Sequence, residues 1–187
     1  MKRWWLLCAV LALTLGAAGG TQAQNARNEL LTTLELFLSQ RDLAIQQASL
    51  SAFSPNVAEA HQQARTALNI AVGQGDASFD TTVPNLGDGV GLTGYVRRLN
   101  RAFEAAPDLE AFRVTWDNIR FFVTVGTEQL KLALRQDGLE AARRQIRVAQ
   151  GLFLAARGTP GDLPSRGGVR TLMALVQRDA ADAGAKP

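Results

Sequence analysis

The sequence predicts an all-α protein, an antiparallel up-and-down helical bundle with one long loop rich in glycine and aspartate. In most of the chain after residue 24, apolar residues recur at spacings of three and four, the period of a helix with one buried face. Short turns separate these segments, and short turns between long helices favour antiparallel neighbours. Only residues 74–91 form a long stretch with no period.

The first two helices are predicted from stripes of apolar residues on either side of residue 54. The first stripe consists of Leu31, Leu34, Leu38, Ile45, Ala48 and Ala52, with Arg41 as its one polar break. The second consists of Val57, His61, Ala64, Leu68 and Ala71. Ser54-Pro55 supplies a cap and a first-turn proline for the second helix, and Gly73 and Gly75 end it.

Four further helices are predicted after the loop. The third carries Leu92, Tyr95, Leu99 and Phe103. The fourth opens at Pro107-Asp108 and has the longest stripe, made of Leu109, Phe112, Trp116, Ile119, Val123, Gly126, Leu130 and Ala133. Phe121, Phe122 and Val125 widen its apolar surface, so we expect this helix to be central. Its β-branched residues allow a strand at residues 119–125, although the flanking pattern argues against one.

The last two predicted helices follow the turn at Asp137-Gly138. The fifth stripe consists of Leu139, Ala142, Ile146, Ala149, Phe153 and Ala156. A loop at residues 158–164 leads to the last helix, which carries Val169, Leu172 and Val176. Residues 179–187 are expected to be a frayed tail.

The first 23 residues have the layout of a secretory signal peptide. Lys2 and Arg3 form a basic start, residues 4–18 are an apolar run, and Thr21-Gln22-Ala23 offers a cleavage site after Ala23. We therefore expect residues 24–187 to be a single mature domain outside the cytoplasm, periplasmic or secreted. An uncleaved signal that stays as an anchor is the alternative. After cleavage, no apolar run is long enough to span a bilayer.

The composition excludes several classes of function. The formal net charge of +3 arises from 20 basic and 17 acidic residues, and it falls to +1 when the signal leaves. A nearly neutral domain has no strong electrostatic field to attract nucleic acid. The only cysteine, Cys8, lies in the signal, so the mature chain has no thiol for a disulfide, a nucleophile or a metal site. We expect no enzymatic activity and no cofactor.

Two constellations could hold a ligand, although a structural role is expected for both. Asp76, Asp80, Asn85 and Asp88 offer oxygen ligands that suit calcium, but their spacing does not match a known calcium loop, and such residues are also common in turns. His61 is the only histidine and lies on an apolar stripe, as a packed histidine would. Paired with Met173, it could instead ligate a haem inside the bundle.

Two short motifs around the long loop carry a resemblance to other proteins. They are Asn69-x-x-x-Gly73 and the segment Asn85-Leu86-Gly87-Asp88-Gly89-Val90-Gly91. Together they resemble a segment of some bacterial secreted helical proteins, which have an H-x-x-H-x-x-N-x-x-E-G helix end and an N-P-G-D-G-x-G loop. The resemblance covers about thirty residues of the chain and implies no established activity. This chain departs from the pattern: His61 is out of register, Leu86 replaces the proline, and Val72 replaces the glutamate.

Arginines make two of the predicted helices basic. The third helix has Arg97, Arg98 and Arg101, and the fifth region has Arg135, Arg143, Arg144, Arg147 and Arg157. They form either a solvated face or a surface for an anion or an acidic partner. We therefore predict an extracytoplasmic binding or scaffolding module for a protein or small-molecule partner. The alternative is a bundle that binds a small ligand or a metal, either calcium or haem.

Overall fold

The fold is described by a computed structural model that covers residues 3–105 and 107–184. Side chains are described from Gln24 onward, except at residues 105–108 and 182–184. This part of the chain forms six α-helices and no strand. The helices are α1 (Arg3–Phe53), α2 (Val57–Val72), α3 (Gly91–Ala105), α4 (Arg113–Ala133), α5 (Leu139–Ala155) and α6 (Val169–Gly184). Two 3-10 segments, Pro107–Phe112 and Pro164–Arg166, precede α4 and α6.

The bundle is built from two helical hairpins, α1 with α2 and α4 with α5, which form the most extensive helix pairs. Polar contacts fix the directions of the helices. Gln150 on α5 donates to Ser49 Oγ on α1 at 2.8 Å, and Arg143, two turns earlier, donates to Ser54 O at 2.6 Å. The later residue of α5 contacts the earlier residue of α1, so the two helices are antiparallel. The predicted all-α bundle is therefore confirmed.

Helix α4 packs against α2, α3, α5 and α6, and its predicted central position is shared with α1 and α2, which also pack against four helices each. All eight positions of its predicted stripe, from Leu109 to Ala133, are buried. Trp116 is fully buried, its indole N–H donates to Asn100 Oδ1 at 2.7 Å, and its ring stacks on Phe103. The strand alternative at residues 119–125 is wrong, because these residues continue the helix.

One aromatic residue of α4 does not contribute to the core as predicted. Phe121 is 58% exposed and meets Phe122 edge to face, so it does not widen the buried surface of the helix. The stripe runs along the opposite side, where Gly126 faces α5. A Cβ at Gly126 would lie 2.7 Å from Phe153 Cε1, so the glycine lets the buried Phe153 ring approach the α4 backbone.

The buried line of α1 is displaced by one residue from the prediction in its first half. It consists of Leu30, Leu34, Phe37, Arg41, Ala44, Ala48 and Ala52. Leu31, Leu38 and Ile45 are partly buried at its border. Arg41 does not break the line as a solvated residue would, because only 1% of its side chain is exposed.

Helix α2 starts later than predicted. Its N-cap is Asn56, whose side chain accepts the Glu59 N–H at 2.9 Å and donates back to the Glu59 carboxylate at 2.7 Å. Ser54, the predicted cap, instead donates to Leu50 O at the end of α1. The predicted end is correct, since Gly73 follows Val72 with a positive φ of 76°.

The end of α5 and the start of α6 are joined by their backbones. Val169 N–H donates to Ala156 O at 2.9 Å, and Arg170 N–H donates to Arg157 O at 2.8 Å. This close crossing depends on Gly158, which has a φ of 62° and whose Cβ would lie 2.2 Å from the nitrogen of Gly168. The frayed tail predicted from residue 179 is helical as far as Gly184, and Asp179 pairs with Arg27 at 2.6 Å.

Candidate functional site

The four predicted calcium candidates all form turns with their own backbone. Each side-chain oxygen accepts the N–H two residues ahead: Asp76 from Ser78, Asp80 from Thr82, Asn85 from Gly87, and Asp88 from Val90, at distances of 2.8 to 3.1 Å. These contacts hold the loop in shape, as aspartate and asparagine do in tight turns. In the described part of the chain, no three histidine, cysteine or acidic side chains are grouped to hold a metal ion.

The same turn contacts alter the acidity of two of these carboxyls. The N–H of Ser78 lowers the pKa of Asp76, because it stabilises the charged form. The hydroxyl and N–H of Thr82 lower the pKa of Asp80 in the same way. Both groups are therefore set to remain ionised as hydrogen-bond acceptors.

The loop is tied to the helices by buried polar side chains. Asn69, which is 1% exposed, donates to Asp80 O at 2.7 Å and accepts from Asp80 N–H at 2.8 Å. Gln40 on α1 accepts from the N–H of Asp88 at 3.1 Å. The Asp88 carboxylate also binds the Tyr95 hydroxyl at 2.5 Å. Burial, together with the hydrogen bond to Asp88 and its charge, raises the pKa of Tyr95 to about 12.

These contacts give a structural account of the segment that carries the resemblance. Asn69 fixes the loop, and Gly73 passes so close to Val90 that a Cβ would lie 2.2 Å from its carbonyl oxygen. Gly89 and Gly91 both have positive φ, which a glycine adopts without strain. In this chain, the polar and glycine positions of the motif thus bind the loop to the end of α2 and the start of α3.

His61 and Met173, the predicted haem candidates, lie on α2 and α6. Met173 lines a cavity of about 280 Å³ with Leu38, Arg170 and others, and His61 is not part of that lining. The His61 Nε2 atom is buried and has no hydrogen-bond partner among the described residues.

Two cavities lie along α3. One, of about 610 Å³, lies between α3 and the segment of α1 that starts at Ala26. Its lining residues include Ala26, Glu29, Leu30, Arg98, Arg101 and Leu109. A second, of about 340 Å³, lies between α3 and the glycines of the loop, and Arg97, Arg98 and Arg101 line it. Arg98 and Arg101 line both cavities, so the two lie side by side, and we call them together the α3 groove.

The guanidinium groups of the α3 groove face solvent. Arg97, Arg98 and Arg101 are exposed, and none forms an ion pair with another described residue. The guanidinium of Arg98 lies 5.4 Å from the centroid of the Tyr95 ring, a cation–π contact that fixes it beside the groove. The sequence predicts a basic face at these arginines, whereas the cavities that they line depend on how α1 and the loop pack against α3.

A second group of arginines meets where α5 ends and α6 begins. Arg157, Arg166 and Arg170 line a cavity of about 470 Å³ together with Thr159, Asp162 and Phe122. Of these three, only Arg157 belongs to the two basic regions that the sequence predicts. The other two lie in the loop before α6 and in its first turn, where no periodic pattern distinguishes them.

Comparison with known proteins found no significant match to any family model, curated protein or solved structure. In residues 3–105 and 107–184, no helix is both long and apolar enough to cross a membrane.

Proposed function

We propose that this chain is an extracytoplasmic helical-bundle binding module and that the α3 groove is its binding surface. The observation that carries the proposal is that two adjacent cavities share the exposed Arg98 and Arg101 in their lining. A concave, partly apolar surface with a few convergent polar groups is the usual form of a binding site. Here such a surface runs along one side of α3.

The lining of the groove favours an acidic segment of a partner protein. Ala26 and Ala102 offer a small apolar surface at the larger cavity, where Leu30, Leu99 and Leu109 are at most 5% exposed. The exposed arginines offer unpaired positive charge beside it. The acidic groups nearby are Glu29, which lines the larger cavity, and Asp76, whose pKa the charge of Arg97 helps to lower. An arginine can bind a carboxylate through two parallel hydrogen bonds, so alternating acidic and apolar residues would match this surface.

The binding surface can be tested with a fluorescent peptide of alternating glutamate and leucine. We expect it to bind the mature protein, with an affinity that falls as salt rises. Arg98→Ala combined with Arg101→Ala should weaken binding at least tenfold, because charge-assisted hydrogen bonds are lost. Arg144→Ala with Arg147→Ala removes the same charge from exposed positions on α5 and should leave binding within about twofold.

Two outcomes would contradict the proposed surface. One is equal binding of a peptide in which lysine replaces glutamate. The other is an equal effect of the α3 and α5 double variants, since net charge alone would then explain the affinity.

The extracytoplasmic location rests on the signal-like residues 1–23 and requires its own experiment. N-terminal sequencing of the exported protein should start at or within a few residues of Gln24. In the fold, the first described side chains that face the rest of the bundle are Ala26 and Arg27, so cleavage after Ala23 would spare these contacts. A mature protein that still starts at Met1 would contradict cleavage.

The alternative is a small-ligand or metal-binding bundle. A haem protein would absorb strongly near 400 nm as purified, and variants of His61 and Met173 would lose that band. Calcium binding is considered among the predictions below.

A further inference from the structure

Arg41 is a buried cation whose hydrogen-bonding capacity is mostly unused. Its side chain is 1% exposed and lies in the apolar line of α1. One Nη atom contacts the Asp42 carboxylate, but Nε and the other Nη atom are buried without a hydrogen-bond partner among the described residues. A buried donor that lacks a partner lowers the stability of the fold, so an acceptor that reached the Arg41 guanidinium would stabilise it.

Two further arginines act on Arg41 through their positive charge. Desolvation is the main cause that lowers the pKa of Arg41, and the charges of Arg157 and Arg170 lower it further. Arg157 also has a buried Nε atom without a hydrogen-bond partner. Arg157 and Arg170, together with the exposed Arg166, line the cavity of about 470 Å³ at the junction of α5 and α6.

Few acidic groups balance this charge. Asp162 lies in the cavity lining, and its Oδ2 accepts the N–H of Thr159 at 2.7 Å. Asp42 contacts Arg41 but is itself 64% exposed. Arg157, Arg166 and Arg170 form no ion pair with any described residue. In the cavity lining, three guanidinium groups thus accompany one carboxylate.

We propose that the cavity at the junction of α5 and α6 is a binding site for an oxyanion. The side chains of Arg166 and Arg170 hold the oxyanion, and Arg157 adds positive charge in the same cavity lining. Arginine presents a planar fork of donors that matches a phosphate or carboxylate group. The first N–H groups of α6 do not contribute, because Ala156 and Arg157 carbonyls already accept two of them. The recognition therefore depends on the side chains of the three arginines.

The neighbouring cavity suggests where the rest of a larger ligand would lie. Arg170 also lines the cavity of about 280 Å³, whose other lining residues include Leu38, Pro160, Met173 and Ala174. This second surface is mainly apolar. The oxyanion is thus either free in solution or the head group of a molecule with a short apolar chain, and phosphate is the chemistry that both share.

Calorimetric titration of the mature protein with inorganic phosphate and with octyl phosphate tests the site, at constant ionic strength adjusted with chloride. We expect at least one of them to bind with one-to-one stoichiometry and to raise the Tm. Arg166→Ala with Arg170→Ala should weaken binding about tenfold or more. Both residues are exposed, so the variant should fold. Tighter binding of octyl phosphate would identify a head group, and equal binding would identify a free anion.

The control is Arg144→Ala with Arg147→Ala, which removes two exposed arginines of α5 and should change phosphate affinity less than twofold. The absence of binding by both ligands, or an equal loss in the control, would overturn the proposal. The outcome is independent of the α3 groove, because Arg98→Ala with Arg101→Ala should leave phosphate binding intact.

Discussion

The side-chain amide of Asn69 closes two hydrogen bonds with the backbone of Asp80, donating to its carbonyl at 2.7 Å and accepting its N–H at 2.8 Å. Asn69 lies near the end of α2, and Asp80 lies in the middle of the long loop. One buried side chain therefore replaces a backbone partner for a segment that has no helix or strand of its own. This pair, together with the contacts of Asp88 to Gln40 and Tyr95, holds the loop in position.

Asn69→Ala should lower the free energy of unfolding by about 2–3 kcal/mol, because both hydrogen bonds are lost and a buried cavity is left. Urea denaturation followed by circular dichroism measures this change. Asp80→Asn is the matched control, because it leaves the backbone partners in place and alters only a partly exposed side chain. Its effect should stay within about 0.5 kcal/mol. Equal losses in the two variants would contradict the role of Asn69.

Two glycines inside helices should respond to alanine with opposite signs. At Gly126, a Cβ would lie 2.7 Å from the fully buried Phe153 ring, so Gly126→Ala should cost about 1–3 kcal/mol through overpacking. At Gly151, no atom lies within 4 Å of the added carbon, so Gly151→Ala should stabilise the protein by about 0.5–1 kcal/mol. Thermal unfolding of both variants measures the difference. The same sign in both would show that the α4–α5 packing is described wrongly.

Tyr95 should make the protein less stable in strong alkali. Its pKa is raised to about 12 in the fold, above the ordinary value of 10.0, so the folded state keeps the proton that the unfolded state loses. The contribution of Tyr95 to the free energy of unfolding is complete below pH 10 and is lost as the pH rises from 10 to about 12. Because Tyr95 is the only tyrosine, the tyrosinate absorbance at 295 nm reports its ionisation directly. Tyr95→Phe should remove this part of the pH dependence, and a midpoint near pH 10 in the folded protein would refute the prediction.

Calcium should not bind tightly to the long loop. The carboxylates of Asp76, Asp80 and Asp88 already accept backbone N–H groups, and Asp88 also binds Tyr95. Asparagine keeps a side-chain oxygen that can accept the same N–H groups, so replacement of all three should change stability little, within about 0.5 kcal/mol per site. Isothermal titration of the chelator-treated protein is the direct measurement. A stoichiometric site of micromolar affinity that the triple variant lacks would favour the metal-binding alternative.

The burial of α4 follows the sequence pattern better than that of α1 for a physical reason. From Leu109 in the 3-10 segment to Ala133 at the end of α4, the apolar residues form one line, so a single register satisfies the helical period. In α1, Leu30 is followed by Leu31, and Phe37 is followed by Leu38, so two adjacent lines have nearly equal apolar content. Only the positions of the helices packed around α1 decide between them, and these are not a local property of the sequence.

The same limit applies to the sites. Turn chemistry at Asp76, Asp80, Asn85 and Asp88 is local, and it was predicted as the main expectation. The grouping of Arg41 with Arg157 and Arg170 joins residues more than a hundred positions apart, and no spacing rule reveals it. The one signal available was a charged residue inside an apolar stripe, which was interpreted as a break in the stripe.

The backbone pairing of Ala156 with Val169, and of Arg157 with Arg170, has a consequence for the covalent connection between α5 and α6. The two helix ends are held together by hydrogen bonds, so the exposed peptide between them, residues 159–166, is not what keeps α6 in place. New chain termini placed within it, as in a circular permutant, should leave the bundle intact. Because Arg166 lies on this peptide, such a permutant should keep its fold while its affinity for phosphate at the proposed site falls.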